Sequence, residues 1–398
     1  MHHWQGVHTV VQLVMNQVET PHKDWRDWYR MTSLERMEEG LSDQAGLELD
    51  FALETFLEWR RPRSGTENPT QVHSPVWDWF VRTGLDAYTG NKRFQGPSSF
   101  GFEPCWCNDR MGQTAVDLPD GRLVLIAGEH EDYYAPDFYI YNDVIVLHKD
   151  GAVELYGYPR EVFPPTDFHT AVLVGENIVI IGNLSYSEDR MPGQTQVLTL
   201  SVSTLAMSRV ASNGECPGWI SKHTAELTAD GNSIVVKGGE IWRADKTLLE
   251  NLDEWKLHLQ DWRWERLTRR LWPRWTLERQ DGKRLHLWEY GNMKWDAEKE
   301  KASLRNSLEA EPDEDAYESL YRPPVTHAPS KKDADDSSTA RISVEGVTVR
   351  YNVNGREIII TIEGPLPEDI VDAIVEDCRH KLARVEQSRV RTTRMATE

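Results

Sequence analysis

The densest run of side chains able to do chemistry is Glu129-His130-Glu131-Asp132-Tyr133-Tyr134-Ala135-Pro136-Asp137-Phe138-Tyr139. Carboxylates, one imidazole and adjacent phenols could coordinate a cation or hold a sugar. Spacing excludes two specific chemistries: the run has neither a zincin pattern nor the glycine and terminal glutamate of a calcium loop. Three readings remain: a loop capped by its own acids, a partner or ligand surface, and a catalytic or metal site. The candidate contact residues are Glu129, His130, Glu131, Asp132, Tyr133, Tyr134 and Asp137.

Other reactive side chains are scattered. Cys105-Trp106-Cys107 has one intervening residue, not the two or more of usual zinc pairs, and no second pair completes a site. Cys216 would need a nearby base and a lowered thiol pKa to act as a nucleophile, and His223 is its one local partner in sequence. His169 and His223 recur at one position of a repeat, which repeated packing explains more economically than catalysis. Arg110, Gln113, Asp167 and Lys222 stand near strand starts, where they could reach a ligand at a channel mouth.

The elements that must position these residues are short strands in a repeating order. Phe168–Val174 and Ile178–Gly182 flank a Gly175-Glu176-Asn177 turn, which reads as a hairpin. The same arrangement precedes it at 113–128 and follows it at 223–239, so that Gln113, His169 and His223 are spaced by 56 and 54 residues. Each unit continues into a second strand pair: 142–147 with 153–156, 195–200 with 206–210, and 253–259 with 262–267. A self-similar unit of about 50 residues built from four short strands has the period of a propeller blade.

At these residues the chain resembles the kelch-repeat β-propellers. The features that carry the resemblance are the His-Thr-Ala strand start, Gly238-Gly239 at a strand end, and Trp264 in a fourth strand. It covers roughly 110–268. Ala127-Gly128 and Gly182-Asn183 replace the double glycine, and Met207 stands where the second unit would have its aromatic. The resemblance implies a mainly β fold, a kelch-like propeller that is incomplete or degenerate, since rings usually take 4–8 blades. It also implies that loops gather on two faces and form binding sites there, and that Trp219, after the Pro217-Gly218 turn, plugs a blade interface or meets a partner. Kelch-type copper oxidases use Tyr, His and a thioether-linked Cys; no such arrangement is recognisable here, and no cofactor or metal is expected.

Flanking regions complete the expected organisation. Residues 1–95 read as helical, from the stripe in His8–Val18, a capping-box pattern at Thr32–Glu35, a helix ending near Arg60 before Pro62, and another opened by Pro75. Residues 96–295 hold the repeats, with 275–288 read as a further hairpin and a degenerate fourth blade. Residues 296–340 are a charged helix and a Pro/Ser/Asp/Lys-rich linker. Residues 341–398 form a small β-β-β-α module with an Asn354-Gly355 turn and a basic tail that frays.

A net charge of −20 argues against nucleic-acid binding, because phosphate contacts need basic surface. No apolar run approaches the ~18 residues of a membrane span. Met1-His2-His3-Trp4 lacks the start of a signal peptide, so the cytoplasm is expected. The favoured function is a non-enzymatic interaction module that binds a basic protein partner, for instance as an inhibitor or immunity-type protein. The alternative is an enzyme or binding protein for a carbohydrate or other polar ligand at the propeller mouth. The absence of catalytic spacing favours the first.

Overall fold

The structure is a computed structural model that describes residues 25–31, 35–36, 51–96, 104–130, 138–325, 331–332 and 339–395. The chain divides into two compact units, Met1–Arg269 and Arg270–Glu398. Among the described residues, no helix is long and apolar enough to cross a membrane.

Within the first unit, each sequence repeat folds into a four-stranded antiparallel meander. The first comprises Thr114–Asp117, Leu123–Ile126, Asp143–Leu147 and Val153–Gly157. The second comprises Thr170–Val174, Asn177–Ile181, Val197–Ser201 and Met207–Arg209. The third comprises Thr224–Leu227, Ser233–Lys237, Trp255–His258 and Arg263–Arg266, with Asn213–Gly214 added in parallel at its outer edge. β-branched runs fit the pleat and tight turns join them, so the local register follows the hairpins.

Strand alternation explains why the runs are apolar on both faces. Leu123, Leu125, Ile145 and Leu147 face helices of the N-terminal region, while Val124, Ile126, Val144 and Val146 meet Ile178, Ile180, Leu198 and Leu200 of the second sheet. The opposite face of the second sheet, Val179, Ile181 and Val197, meets Ile234, Val236, Leu257, Trp255 and Trp264 of the third. Each such side chain contributes roughly 1.5–3 kcal/mol when removed from water. The far face of the third sheet changes character: Glu226, Val235, Lys256 and Glu265 stand in one cross-strand row. That row is polar save for Val235.

The N-terminal region closes the other end of the stack. Ser74 caps the helix Pro75–Thr83 by accepting from the Trp77 amide, Pro75 fits its first turn, and Gly84 ends it in the left-handed conformation. Trp77 lies flat against Trp106 at 4.8 Å and donates its indole N–H to the Trp59 carbonyl. The helix Leu53–Trp59 ends at Arg60, as Pro62 implied. The stripe at 8–18 lies outside the described residues, as does most of the helix expected after Glu35. The region is not wholly helical, however. Thr70–Val72 pairs with Val153–Gly157 as a fifth strand of the first sheet. Nearby, the Asn68 side-chain amide exchanges two hydrogen bonds of 2.8 Å with the backbone of Met207.

In the second unit the hairpin expected at 275–288, and with it the fourth blade, is not formed. Arg274–Arg279 does not pair with 284–288; it lies between Glu357–Ile362 and Val390–Arg394. Leu287–Asn292 is a helix, anchored by buried Leu287 and Tyr290. Strand order is Lys331–Lys332, Thr339–Val344, Val347–Val353, Glu357–Ile362, Arg274–Arg279, Val390–Arg394. The helix Glu368–Glu386 lays Val371, Ile374, Val375, Cys378, Leu382 and Val385 on one face of this sheet. The basic tail is therefore an edge strand, not a frayed end. Ladder hydrogen bonds to Trp275–Arg279 order it, and its arginines suit an edge that must not recruit another chain.

A variant lacking residues 1–95 would leave Leu123, Leu125, Ile145, Leu147 and Leu155 without cover. It is expected to be recovered as insoluble protein. A soluble fragment with a cooperative thermal transition would overturn the covering role.

Candidate functional site

Glu129 and His130 are buried, and they form a short strand paired with Tyr139–Ile140. Glu131, Asp132, Tyr133, Tyr134 and Asp137 lie outside the described residues. The Tyr141 hydroxyl sits 2.7 Å from His130 Nδ1 and accepts the Cys107 amide N–H at 3.2 Å. Burial, then the nearby Arg110 guanidinium, lowers the His130 pKa to about 3, so the ring is neutral.

Arg110, expected near a channel mouth, is instead at the centre of a buried cluster with its side chain fully enclosed. Its guanidinium makes a two-pronged pair with Asp143, at 2.5 and 2.9 Å, and donates to the carbonyls of Cys107 and Ala127. It lies 3.3 Å over the Tyr141 ring and 4.9 Å from Trp106, whose indole N–H also donates to Asp143. Burial alone would lower the Arg110 pKa; the adjacent Asp143 carboxylate outweighs it and raises the value. The cluster joins the N-terminal region to the first sheet. It is a structural clamp.

The repeated histidines do the same at the sheet junctions. His169 Nε2 lies 2.7 Å from Thr114 Oγ1, and His223 Nε2 lies 2.9 Å from Thr170 Oγ1. Each thus bridges the first strand of its own sheet to that of the preceding one. Just before them, Gly112, Phe168 and Lys222 all take positive φ, and the Phe168 and Lys222 amides donate to Gly112 and Phe168 carbonyls. Gly182 and Gly239 are required there, because a Cβ on either would fall within 2.7 Å of His223 side-chain atoms. Burial lowers the His169 pKa to about 3 and the His223 pKa to about 4.

Among the described contact residues that the sequence suggests, Trp219 lines an open cleft. The cleft has a volume of about 320 Å³ and lies among loops of the first three sheets. Trp219 is nearly buried and donates its indole N–H to the Leu184 carbonyl at 3.1 Å. The polar floor is already engaged: Asn183 donates to the Pro165 carbonyl and accepts from the Asp167 amide, and Gln196 donates to Thr166 Oγ1. Exposed Arg160 and Arg209, with Glu161 and Asp189, remain at the rim. Among the described residues that line the cleft there is no histidine, cysteine or lysine. Asp167 lies beneath, where burial raises its pKa to about 6 and the Ser185 amide donates to it. The described lining can bind a group. Sequence reading missed Arg160 and Arg209, which sit outside any motif.

Cys105, Cys107 and Cys378 are buried, and Cys216 is half-buried. Cys105 and Cys107 direct their thiols to the carbonyls of Trp106 and Asp109, and Cys216 directs its thiol to that of Gly193. Among the described residues, no three His, Cys, Asp or Glu side chains are placed to hold a metal ion.

Two outcomes follow from this chemistry. Arg110→Met leaves Asp143 buried without its counter-charge and is expected to cost about 3–5 kcal/mol of stability, while Arg110→Met with Asp143→Leu costs far less than Arg110→Met and Asp143→Leu summed. Chemical denaturation of the four proteins of that cycle is the check; additive losses would refute the pairing. The second concerns pH. The unfolded chain protonates His130, His169 and His223 near pH 6.5 whereas the fold keeps them neutral, so stability present above that pH is lost as pH falls toward 4. Each is worth on the order of 2 kcal/mol between pH 7.5 and 5. Asp167, raised to about 6, acts in the opposite sense and offsets part of the loss. The variant with His169→Gln and His223→Gln should lose stability less steeply with falling pH than the parent; an identical slope would exclude these histidines as its source.

No family model and no curated protein matches the chain. Among solved structures, YjhT is similar at 13% identity and a TM-score of 0.30, over 40% of this chain and 51% of that one, so the match spans about half of YjhT. MPT-4, a mannose phosphorylase from Leishmania mexicana solved with phosphate ion, is similar at 9% identity and a TM-score of 0.23, over 64% of this chain and 68% of that one.

Proposed function

We propose that this chain is a non-enzymatic interaction protein, an incomplete kelch-like propeller that binds a basic protein partner. The observation that carries the reading is the net charge of −20, to which both units contribute. Residues 1–269 hold 40 Asp and Glu against 24 Lys and Arg, a net −16, while residues 270–398 add only −4. Both units are acidic, and a net charge of that size steers a cationic protein toward the chain and makes association sensitive to salt. The side chains best suited to catalysis support the same reading, because His130, His169, His223, Arg110 and Cys107 are spent on internal hydrogen bonds. The propeller reading is supported by the recurrence of the His–Thr bridge and of positive φ at one repeat position.

The Trp219 cleft favours a second reading, a binding protein for a small polar ligand, since its volume is at the lower end of ligand pockets. The two readings separate in one experiment. Immobilised full-length protein, challenged with native cell extract, is expected to retain a stoichiometric basic protein that leaves as salt rises to about 0.5 M, where the screening length is only a few ångströms. Retention of a neutral or acidic protein, or one indifferent to salt, would overturn the first reading. A thermal shift with a small polar metabolite and no protein retained would favour the second.

A further inference from the structure

Trp288 and Trp295 are 76% and 79% exposed, the most exposed large hydrophobic residues among those described. Every other described tryptophan is buried or half-buried. Neither exposure comes from a loose segment. Trp288 lies on the helix Leu287–Asn292, held down by buried Leu287 and by Tyr290, whose hydroxyl donates to the Val385 carbonyl at 3.2 Å. The Trp295 amide donates to Asn292 in the turn that follows. The fold thus pins the backbone and holds both indoles out in water, where they add nothing to its core. Between 288 and 300 the chain carries Glu289, Asp296, Glu298 and Glu300 against Lys294 and Lys299. The ammonium of Lys294 already lies 4.9 Å from the Trp295 ring, so that ring face accepts a cation.

We infer that Trp288 and Trp295 are the anchors by which the second unit docks an arginine-bearing segment of a protein partner. The inference rests on the basic-partner reading above and assigns it a surface. Guanidinium groups stack on indole faces and pair with carboxylates, and the segment supplies both. Tryptophan and arginine are also the residues that dominate binding energy where two proteins meet.

The test uses the full chain labelled with 5-fluorotryptophan, and a synthetic peptide of alternating arginine and glycine as the probe. The same peptide with citrulline for arginine is the control. The fluorine signals that vanish in Trp288→Phe and Trp295→Phe identify the two indoles. Both signals are expected to move on adding the arginine peptide at low salt and to stay still with the citrulline peptide. Trp288→Ala with Trp295→Ala should weaken peptide binding about tenfold or more with the thermal midpoint unchanged. If the doubly substituted protein binds the arginine peptide as tightly as the parent, the surface is wrong and the basic-partner reading stands. If the parent does not bind the arginine peptide, that reading fails and this inference with it. Equal binding of the citrulline peptide would overturn the cationic occupant.

Discussion

Everything in the first unit depends on sheets that are apolar on both faces. A strand such as Leu123–Ile126 or Ile178–Ile181 cannot be half of a two-layer sandwich, because each successive side chain needs a different neighbour. The first sheet finds the N-terminal helices on one side and the second sheet on the other; the second sheet finds the third. A one-residue slip in either of the first two sheets would ruin two interfaces at once, which fixes register more firmly than one buried face would. The series stops where the pattern stops. The Glu226, Lys256 and Glu265 row gives the third sheet an outer face that water can wet.

Polar chemistry is recruited to hold this stack. Arg110 and Asp143 would be costly inside if either stood alone, and together they tie the backbone at Cys107 and Ala127 to the first sheet. The neutral histidines join one sheet to the next through threonine hydroxyls. Among the described residues, His130, His169, His223, Arg110 and Cys107, types that suggest catalysis in a linear sequence, are thereby absorbed into architecture. Fold and function are separate questions here, as they are for most widely used scaffolds.

Much of the first unit was legible from local signals. Hairpin turns at 119–121, 175–177 and 230–232 marked the strands, and the recurrence of His169 and His223 at one repeat position pointed to a packing role that the bridges to Thr114 and Thr170 bear out. The illegible parts are non-local. Thr70–Val72 is too short to announce itself as a strand, and its partner lies some 80 residues on. Arg274–Arg279 read as half of a hairpin because Asp281-Gly282 follows it, yet its partners are Glu357–Ile362 and Val390–Arg394. Arg110 looked like a rim residue because it stands near a strand start, and only the position of Asp143, on another strand, explains its burial. Of the acidic loop, Glu129 and His130 proved interior for a similar reason: Tyr139–Ile140 folds back over them.

The bond pair between Asn68 and Met207 spans 139 residues of chain. At about 5–20 residues per second, a ribosome needs roughly 7 to 28 s to make that stretch. The segment around Asn68 is therefore synthesised early and must wait, first for its edge in the first sheet and then for the last strand of the second. During that interval the nascent chain carries finished apolar strands with unfinished neighbours. The segment around Asn68 is thus made well before the strand that fastens it, and it is secured only once Met207 has been made.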